Sequence, residues 1–149
     1  MKIAVACDHG AFEYKERVKS IVIEMGYEVE DFGCYDKTSI DYPDVIYPAA
    51  KSVAQGKNDL GIVLCGTGIG ASISANKVKG IRCALVSDIF SAHTTKEHND
   101  SNVLALGQRV VGESIMEEIV RTWLQTPFSQ DERHKKRIQK VKEIEIKEG

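Results

Sequence analysis

Short apolar runs alternate along this chain with longer stretches in which apolar residues recur every three or four positions. The runs are rich in β-branched residues, as strands are, and they cover Lys2–Cys7, Tyr27–Phe32, Leu60–Leu64, Ile81–Val86 and Asn102–Leu106. The third run is apolar throughout, which is typical of a strand buried on both faces of a parallel sheet. The pattern therefore predicts five strands.

The longer stretches predict helices between the strands. Gly26 closes the first helical pattern, whose inner face carries Tyr14, Val18, Ile21, Val22 and Met25. Pro43 opens the second helix, but Pro48 has no amide hydrogen, so we expect a kink there or a later start. Ser129 and Glu132 have the spacing of a capping box, which predicts a final helix beginning near Ser129.

Strands that alternate with helices pair in parallel through right-handed crossovers. The sequence therefore predicts a three-layer α/β/α sandwich around a five-stranded parallel sheet, with an extra C-terminal helix. We find no internal repeat and no linker, and we expect residues 1–149 to form one domain. In such sheets the ligand binds beyond the carboxyl ends of the strands.

Composition narrows the class of protein. Of the 149 residues, 42% are hydrophobic and 28% are charged, and the formal net charge is −2, which argues against a nucleic-acid binder. No apolar run is long enough for a membrane span, and we expect no signal peptide. The spacing of Cys7, Cys34, Cys65 and Cys83 matches no metal or redox motif, so we expect free thiols in the cytoplasm.

The residues that follow the predicted strands are unusually polar. Asp8 and His9 follow the first strand, a cysteine in a glycine loop follows the third, and Arg109 follows the fifth. Ser87 and Asp88, after the fourth strand, need no more explanation than that loops are polar. A carboxylate, an imidazole, a thiol and a guanidinium at one sheet edge indicate a binding or catalytic site instead.

The loop Cys65-Gly66-Thr67-Gly68-Ile69-Gly70 carries the most specific chemistry. It is one residue too short for a dinucleotide fingerprint, and no Gly-Lys-Ser/Thr follows as in a P-loop. Its glycines let backbone amides approach an anion at the next helix N-terminus. A thiol beside such amides can remove a proton next to a carbonyl while the amides stabilise the oxyanion. The alternative for Cys65 is a buried thiol at a strand end.

Two later segments fit an anionic substrate. Arg133 and Arg137 lie four residues apart, beside His134, so they share a helix face where a bound phosphate would relieve their repulsion. A solvated basic face explains them equally well, because three lysines are nearby. His98 and Asn99 lie at a predicted helix end, where His98 either caps the helix dipole or exchanges protons with a sugar ring oxygen.

Six segments together resemble the type-B ribose-5-phosphate isomerase family, which also holds the galactose-6-phosphate isomerase subunits. They are Cys7-Asp8-His9-Gly10, Asp41-Tyr42-Pro43, Cys65–Gly70 with Ala75-Asn76-Lys77, Gly80-Ile81-Arg82, His98-Asn99-Asp100 and Gly107-Gln108-Arg109-Val110-Val111-Gly112. The resemblance covers nearly the whole chain. It implies interconversion of ribose 5-phosphate and ribulose 5-phosphate in a Rossmann-like fold, without a metal or a cofactor.

The resemblance also implies roles for individual residues. Cys65 would be the base, since some family members use a glutamate downstream but Ala71-Ser72-Ile73 supplies no carboxylate. Thr67 and the amides of Gly66, Gly68, Ile69 and Gly70 would hold the enediolate oxygen. His98 would assist ring opening, with Asp8 and Asn99 on sugar hydroxyls. The phosphate would be bound by His9, Arg109, Arg133 and Arg137.

In this family two subunits share each site, so the resemblance implies a homodimer or a pair of dimers. Two other functions stay open. One is isomerisation of a six-carbon substrate, allose 6-phosphate or galactose 6-phosphate, because one more carbon changes binding by only about 1–3 kcal/mol. The other is a non-catalytic module that binds a sugar phosphate or a nucleotide, because a fold does not by itself determine function.

Overall fold

The computed structural model describes residues 1–149. Its strands are β1 (Lys2–Cys7), β2 (Glu28–Asp31), β3 (Leu60–Cys65), β4 (Cys83–Leu85) and β5 (Val103–Gly107). Its helices are α1 (Phe12–Glu24), α2 (Tyr42–Ala54), α3 (Ile69–Asn76), α4 (Ile89–Asn99), α5 (Glu113–Gln125) and α6 (Glu132–Glu148), and a short 3₁₀ turn at His9–Ala11 precedes α1. No helix combines the length and the apolar character that a membrane span requires.

The five strands form one parallel sheet in the order β2-β1-β3-β5-β4. One buried cluster joins the sheet to α1, α4 and α5, and a second joins its other face to α2 and α3. The additional helix α6 packs against α4. The predicted α/β/α sandwich is confirmed.

Strand β3 has both faces in the core. Ile62 and Leu64 point into the cluster shared with α1, α4 and α5, while Val63 and Cys65 point toward α2 and α3. This alternation is the two-residue period of a strand, applied to a segment that is apolar on both sides. It explains why the run reads as continuously apolar in the sequence.

Two details differ from the sequence-based expectations. Helix α2 begins at Tyr42 and continues unbroken past Pro48. Pro48 lies on the exposed face of the helix, so water can satisfy the carbonyl group that the missing amide leaves free.

The capping box at Ser129 is wrong. Helix α6 begins at Glu132, and its cap is Asp131, whose Oδ1 accepts a hydrogen bond from the Arg133 amide at 2.8 Å. Ser129 Oγ instead contacts His134 Nδ1 at 2.9 Å. Ser129 Oγ also accepts the Asp131 amide at 3.2 Å, so the hydroxyl group is used within the turn that precedes α6.

The connections diverge at the centre of the sheet. From β1 the chain turns to α1 on one face, and from β3 it turns to α3 on the other face. The two strands are neighbours, with Cys7 opposite Leu64. This divergence opens a crevice at the carboxyl ends of β1 and β3, where ligands of open parallel sheets bind.

Candidate active site

Two loops meet in this crevice, the one that follows β1 and the one that follows β3. The Asp8 amide donates to the Leu64 carbonyl at 3.3 Å. A side-chain carbon built on Gly10 would lie 3.3 Å from the Gly66 nitrogen. The segment after β1 therefore lies against the end of β3 and the glycine loop, as the sequence predicts.

Cys65 is the last residue of β3 and is 5% exposed. Its Sγ accepts a hydrogen bond from the Gly68 amide at 3.1 Å. Gly68 has a φ of 78°, in the left-handed region, and a side-chain carbon there would lie 2.8 Å from the Leu106 carbonyl carbon. Only glycine fits this turn, and the turn is what brings the amide to the sulfur.

The glycine loop presents free amides beside the thiol. The N–H groups of Gly66, Thr67, Gly70 and Ala71 have no acceptor within the chain. Helix α3 starts at Ile69, so the amides of Gly70 and Ala71 belong to its unsatisfied first turn and lie at the positive end of the helix dipole. The loop can therefore hold an anion or a developing oxyanion.

Arg109 lies beside the same loop. Its amide donates to the Gly66 carbonyl at 2.9 Å, and the Gln108 amide donates to the Cys65 carbonyl at 3.1 Å. A side-chain carbon built on Gly66 would lie 3.6 Å from Arg109 Nε. Gly107 has no room for a side chain because it packs against the Thr67 backbone. The segment after β5 thus both supports the glycine loop and brings a cation to it.

His9 is oriented by a backbone group. Its Nδ1 accepts a hydrogen bond from the Ile40 amide at 3.1 Å. In the neutral imidazole the proton therefore lies on Nε2, which leaves an N–H to donate to a ligand. The role of Ile40 could not be predicted from the sequence, because a backbone amide that acts through the tertiary fold leaves no signal in residue type.

A second group of predicted residues lies in a cavity of about 640 Å³. His98 and Asn99 end α4, and His134 and Arg137 reach the cavity from α6. The rings of His98 and His134 are 4.2 Å apart between centroids and tilted by 31°. Burial, and then the neighbouring His98, lower the pKa of His134 below its ordinary value of 6.5. Arg133 lies one turn before Arg137, on the exposed surface of α6.

The group around Cys65 and the group around His98 lie at opposite ends of the strands. Helix α4 leaves the carboxyl edge after β4 and returns the chain to the amino end of β5. Its 11 residues span about 16 Å at 1.5 Å per residue. His98 and Asn99 are therefore separated from Cys65 by about the height of the sheet, so one chain by itself does not bring all the predicted residues together.

Arg82 is a residue of the cavity to which sequence analysis gave no role. It lines the cavity together with His98 and Asn99. The signal was its place in the Gly80-Ile81-Arg82 segment. No group of three or more His, Cys, Asp or Glu side chains is arranged as a set of metal ligands.

Comparison with known proteins agrees with this architecture. Ribose-5-phosphate isomerase B of Clostridium thermocellum has a solved structure that matches with a TM-score of 0.97 and 46% identity, over 100% of both chains. Ribose-5-phosphate isomerase B of Escherichia coli is 42% identical over 97% of this chain and 96% of its own. Galactose-6-phosphate isomerase subunit LacB of Clostridium acetobutylicum is 39% identical over 97% of this chain and 83% of its own.

The family model described as ribose/galactose isomerase matches residues 3–141. The match includes both groups of site residues and every strand of the sheet. Because it covers nearly the whole sequence, and the relatives share its length and its fold, the chain belongs to the ribose/galactose isomerase family.

Proposed function

We propose that this protein interconverts D-ribose 5-phosphate and D-ribulose 5-phosphate through an enediolate, with Cys65 as the base. The observation that carries the proposal is the Cys65 sulfur, which accepts the Gly68 amide beside the free amides of Gly66, Thr67 and Gly70. Relatives named as isomerases of both ribose 5-phosphate and galactose 6-phosphate support the reaction class. They favour catalysis over the alternative of a non-catalytic binding module.

The proton transfer uses groups that already lie together. The Cys65 thiolate removes the proton from C2 of the open-chain aldose, the C1–C2 double bond forms, and O1 becomes an enediolate oxygen. The amides of Gly66 and Gly70 stabilise that charge. The amides of Gly68 and Ile69, which the sequence also assigned to it, instead donate to Cys65 Sγ and Thr67 Oγ1. A proton then passes from O2 to O1, the thiol returns its proton to C1, and the C2 carbonyl of the ketose forms.

Thr67 and Asp8 supply further polar contacts in this scheme. Thr67 Oγ1 accepts the Ile69 amide at 3.2 Å, which leaves its O–H to donate to the enediolate oxygen. Asp8 Oδ1 accepts the Gly10 amide at 2.9 Å, and its second oxygen is available for a sugar hydroxyl. His9 and Arg109 bind the phosphate from the same edge of the sheet.

The remaining groups come from a second copy of the chain in this proposal. Strand β4 is an edge strand, and exposed apolar side chains surround it: Ile69, Ile73, Leu85, Ile89 and Phe90. A two-fold axis perpendicular to β4 at this edge would reverse the strand direction, so the carboxyl ends of one sheet would lie beside the amino ends of the other. His98 and Asn99 would then open the ring, and Arg133 and Arg137 would bind the phosphate, opposite the partner's Cys65.

We further propose that residues 1–149 act as one isomerase domain in the cytoplasm. All four cysteines are unpaired, and the Sγ atoms of Cys7 and Cys34 are 3.7 Å apart without a bond. A reducing compartment maintains neighbouring thiols in that state.

The base assignment is tested by Cys65→Ala. We expect the fold and the affinity for inorganic phosphate to be retained, while kcat for ribose 5-phosphate falls by about 1,000-fold or more, because the proton-transfer group is lost. Circular dichroism, phosphate titration and a coupled assay give the three quantities. Cys34→Ala is the matched control, since that buried thiol contacts Cys7 Sγ and the Asp36 carbonyl and no residue of the site. Isomerisation by Cys65→Ala near the wild-type rate would show that Cys65 is not the base.

The shared site is tested by mixing two inactive variants, Cys65→Ala and His98→Ala. Refolded or co-expressed together, they should recover about a quarter of the wild-type activity, because half of the dimers are mixed and each mixed dimer has one intact site. A site contained within one chain predicts no recovery, because every chain then lacks one group.

The LacB relative is a reason to compare five-carbon with six-carbon substrates. We expect the kcat/KM for ribose 5-phosphate to exceed those for allose 6-phosphate and galactose 6-phosphate by about 10-fold or more. A higher value for either six-carbon substrate would reassign the substrate and keep the reaction class.

A further inference from the structure

We propose that Arg82 is a positioning residue that fixes His98 and Asn99 at the end of α4. The inference rests on the proposed function, because it concerns the two residues expected to act on the sugar ring. No substrate contact of Arg82 is required. Its effect is transmitted through the backbone that carries the two side chains.

The guanidinium of Arg82 binds two consecutive carbonyl groups. Nε donates to the Asn99 carbonyl at 3.0 Å, and Nη2 donates to the Asp100 carbonyl at 2.8 Å. The Asp100 carboxylate is farther away, at 3.6 Å from Nη2. The main contact is therefore with the backbone of the helix end, and the ion pair is secondary.

The end of α4 needs such a partner. The last carbonyl groups of a helix have no partner within the helix, and Asn99 and Asp100 are at that position. Asp100 also adopts a left-handed conformation, with φ 46° and ψ 48°, which aspartate tolerates better than most residues but less readily than glycine. Two charge-assisted hydrogen bonds hold this turn in place.

Arg82 is itself anchored to the sheet. Its amide donates to Asn102 Oδ1 at 2.8 Å, and Asn102 Nδ2 donates to the Gly80 carbonyl at 2.8 Å. The Asn102 amide donates back to the Arg82 carbonyl at 3.1 Å. Arg82 thus transfers the fixed position of the segment before β4 to the end of α4.

Arg82 differs from the arginines assigned to phosphate in the hydrogen bonds that its guanidinium makes within the chain. The Nε and Nη2 groups of Arg82 both donate to carbonyl oxygens, and its side chain is 21% exposed. Arg137 donates no hydrogen bond within the chain, and Arg133 reaches only Asp131 Oδ2, at 3.8 Å. Loss of Arg82 should therefore change the rate of reaction more than the affinity for phosphate.

The experiment compares Arg82→Met and Arg82→Lys with Arg121→Met in the full-length protein. Arg121 is a matched control, because it also makes hydrogen bonds to two acceptors, Glu24 and Glu117, on α1 and α5 away from both groups. For Arg82→Met we expect kcat for ribose 5-phosphate to fall by about 10- to 100-fold. The KM and the inhibition constant of inorganic phosphate should change by less than about 2-fold.

Hydrogen exchange supplies a readout independent of activity. The Asp100 and Ser101 amides bond to the Lys96 and Thr95 carbonyls at 3.2 and 3.3 Å. Both amides should exchange faster in Arg82→Met, while amides at the centre of β3 exchange as in the wild type. Arg82→Lys keeps the charge but not the two-pronged geometry, so it should recover only part of kcat. Asp100→Asn keeps the carbonyl group and should leave kcat unchanged.

Three results would overturn the inference. A raised phosphate inhibition constant with unchanged kcat would make Arg82 a phosphate ligand. Unchanged kcat and unchanged hydrogen exchange at Asp100 would show that the end of α4 does not need the Arg82 hydrogen bonds. An equal loss of kcat in Arg121→Met would show that the loss in Arg82→Met comes from general destabilisation. If the wild type does not turn over ribose 5-phosphate, the proposed function fails, but hydrogen exchange still tests whether Arg82 fixes the end of α4. If Arg82→Met does not fold, the same measurements on Arg82→Lys decide.

Discussion

At the scale of single residues, the surroundings of the sulfur distinguish Cys65 from the other thiols. Burial, with neighbouring Cys34, raises the pKa of Cys7, and burial raises the pKa of Cys83 to about 12. Both therefore stay protonated at neutral pH and are poor bases. Cys7 and Cys65 both end strands at the crevice, but only Cys65 Sγ accepts an amide of the glycine loop. The four cysteines are equivalent in the composition, and only their positions in the fold distinguish the surroundings of their sulfur atoms.

Gly68 is the residue on which the geometry of this loop depends. Gly68→Ala places a methyl group in a left-handed turn and against Leu106, so we expect it to lower the free energy of unfolding by about 2–4 kcal/mol. It should also lower kcat by about 100-fold, because the amide would no longer reach the Cys65 sulfur. Urea denaturation and the coupled assay give both values.

Gly112→Ala is the control for that substitution. Gly112 has a φ of −68°, and nothing lies within 4 Å of an added side-chain carbon. Its unfolding free energy and kcat should remain close to those of the wild type. Equal effects at the two positions would mean that the left-handed turn at Gly68 is not needed.

At the scale of elements, the helices and strands follow from local periodicity, but two of their boundaries do not. Pro48 is compatible with α2 because the fold leaves that face of the helix in water. Ser129 fails to cap α6 because it binds His134 instead. For Pro48, exposure set by the tertiary structure outweighs a local propensity. For Ser129, one set of local hydrogen bonds replaces another.

The contact between α6 and α4 makes stability depend on pH. His134 is 6% exposed, and its pKa is lowered, so the folded protein keeps it neutral where the unfolded chain takes up a proton. The stability that depends on this group is therefore present above about pH 6.5 and is lost as the pH falls. We expect His134→Asn to be less stable than the wild type near pH 7.5 and to show a smaller difference near pH 5.5. Urea denaturation at the two pH values measures the gap, and a constant gap would contradict the expectation.

At the scale of the whole molecule, the exposed apolar edge around β4 should join two copies. Phe90 is 77% exposed and Ile73 is 56% exposed, so Phe90→Asp and Ile73→Asp should give folded monomers with little activity. Light scattering after gel filtration gives the mass, and circular dichroism gives the fold. Ile23→Asp is the control, because Ile23 is also exposed but lies on α1. Fully active dimers in both edge variants would move the interface elsewhere.

The sequence by itself determined the elements, the layer order and the residues at the carboxyl ends of the strands. It could do so because periodicity is local and parallel strands bring their ends to one edge. Tertiary structure alone decided that α6 brings His134 and Arg137 into the cavity of His98 and Asn99. It also decided that Ile40 orients His9 and that Arg82 binds the end of α4. These relations join residues far apart in the chain through backbone groups and helix directions, and neither leaves a mark in residue type or spacing.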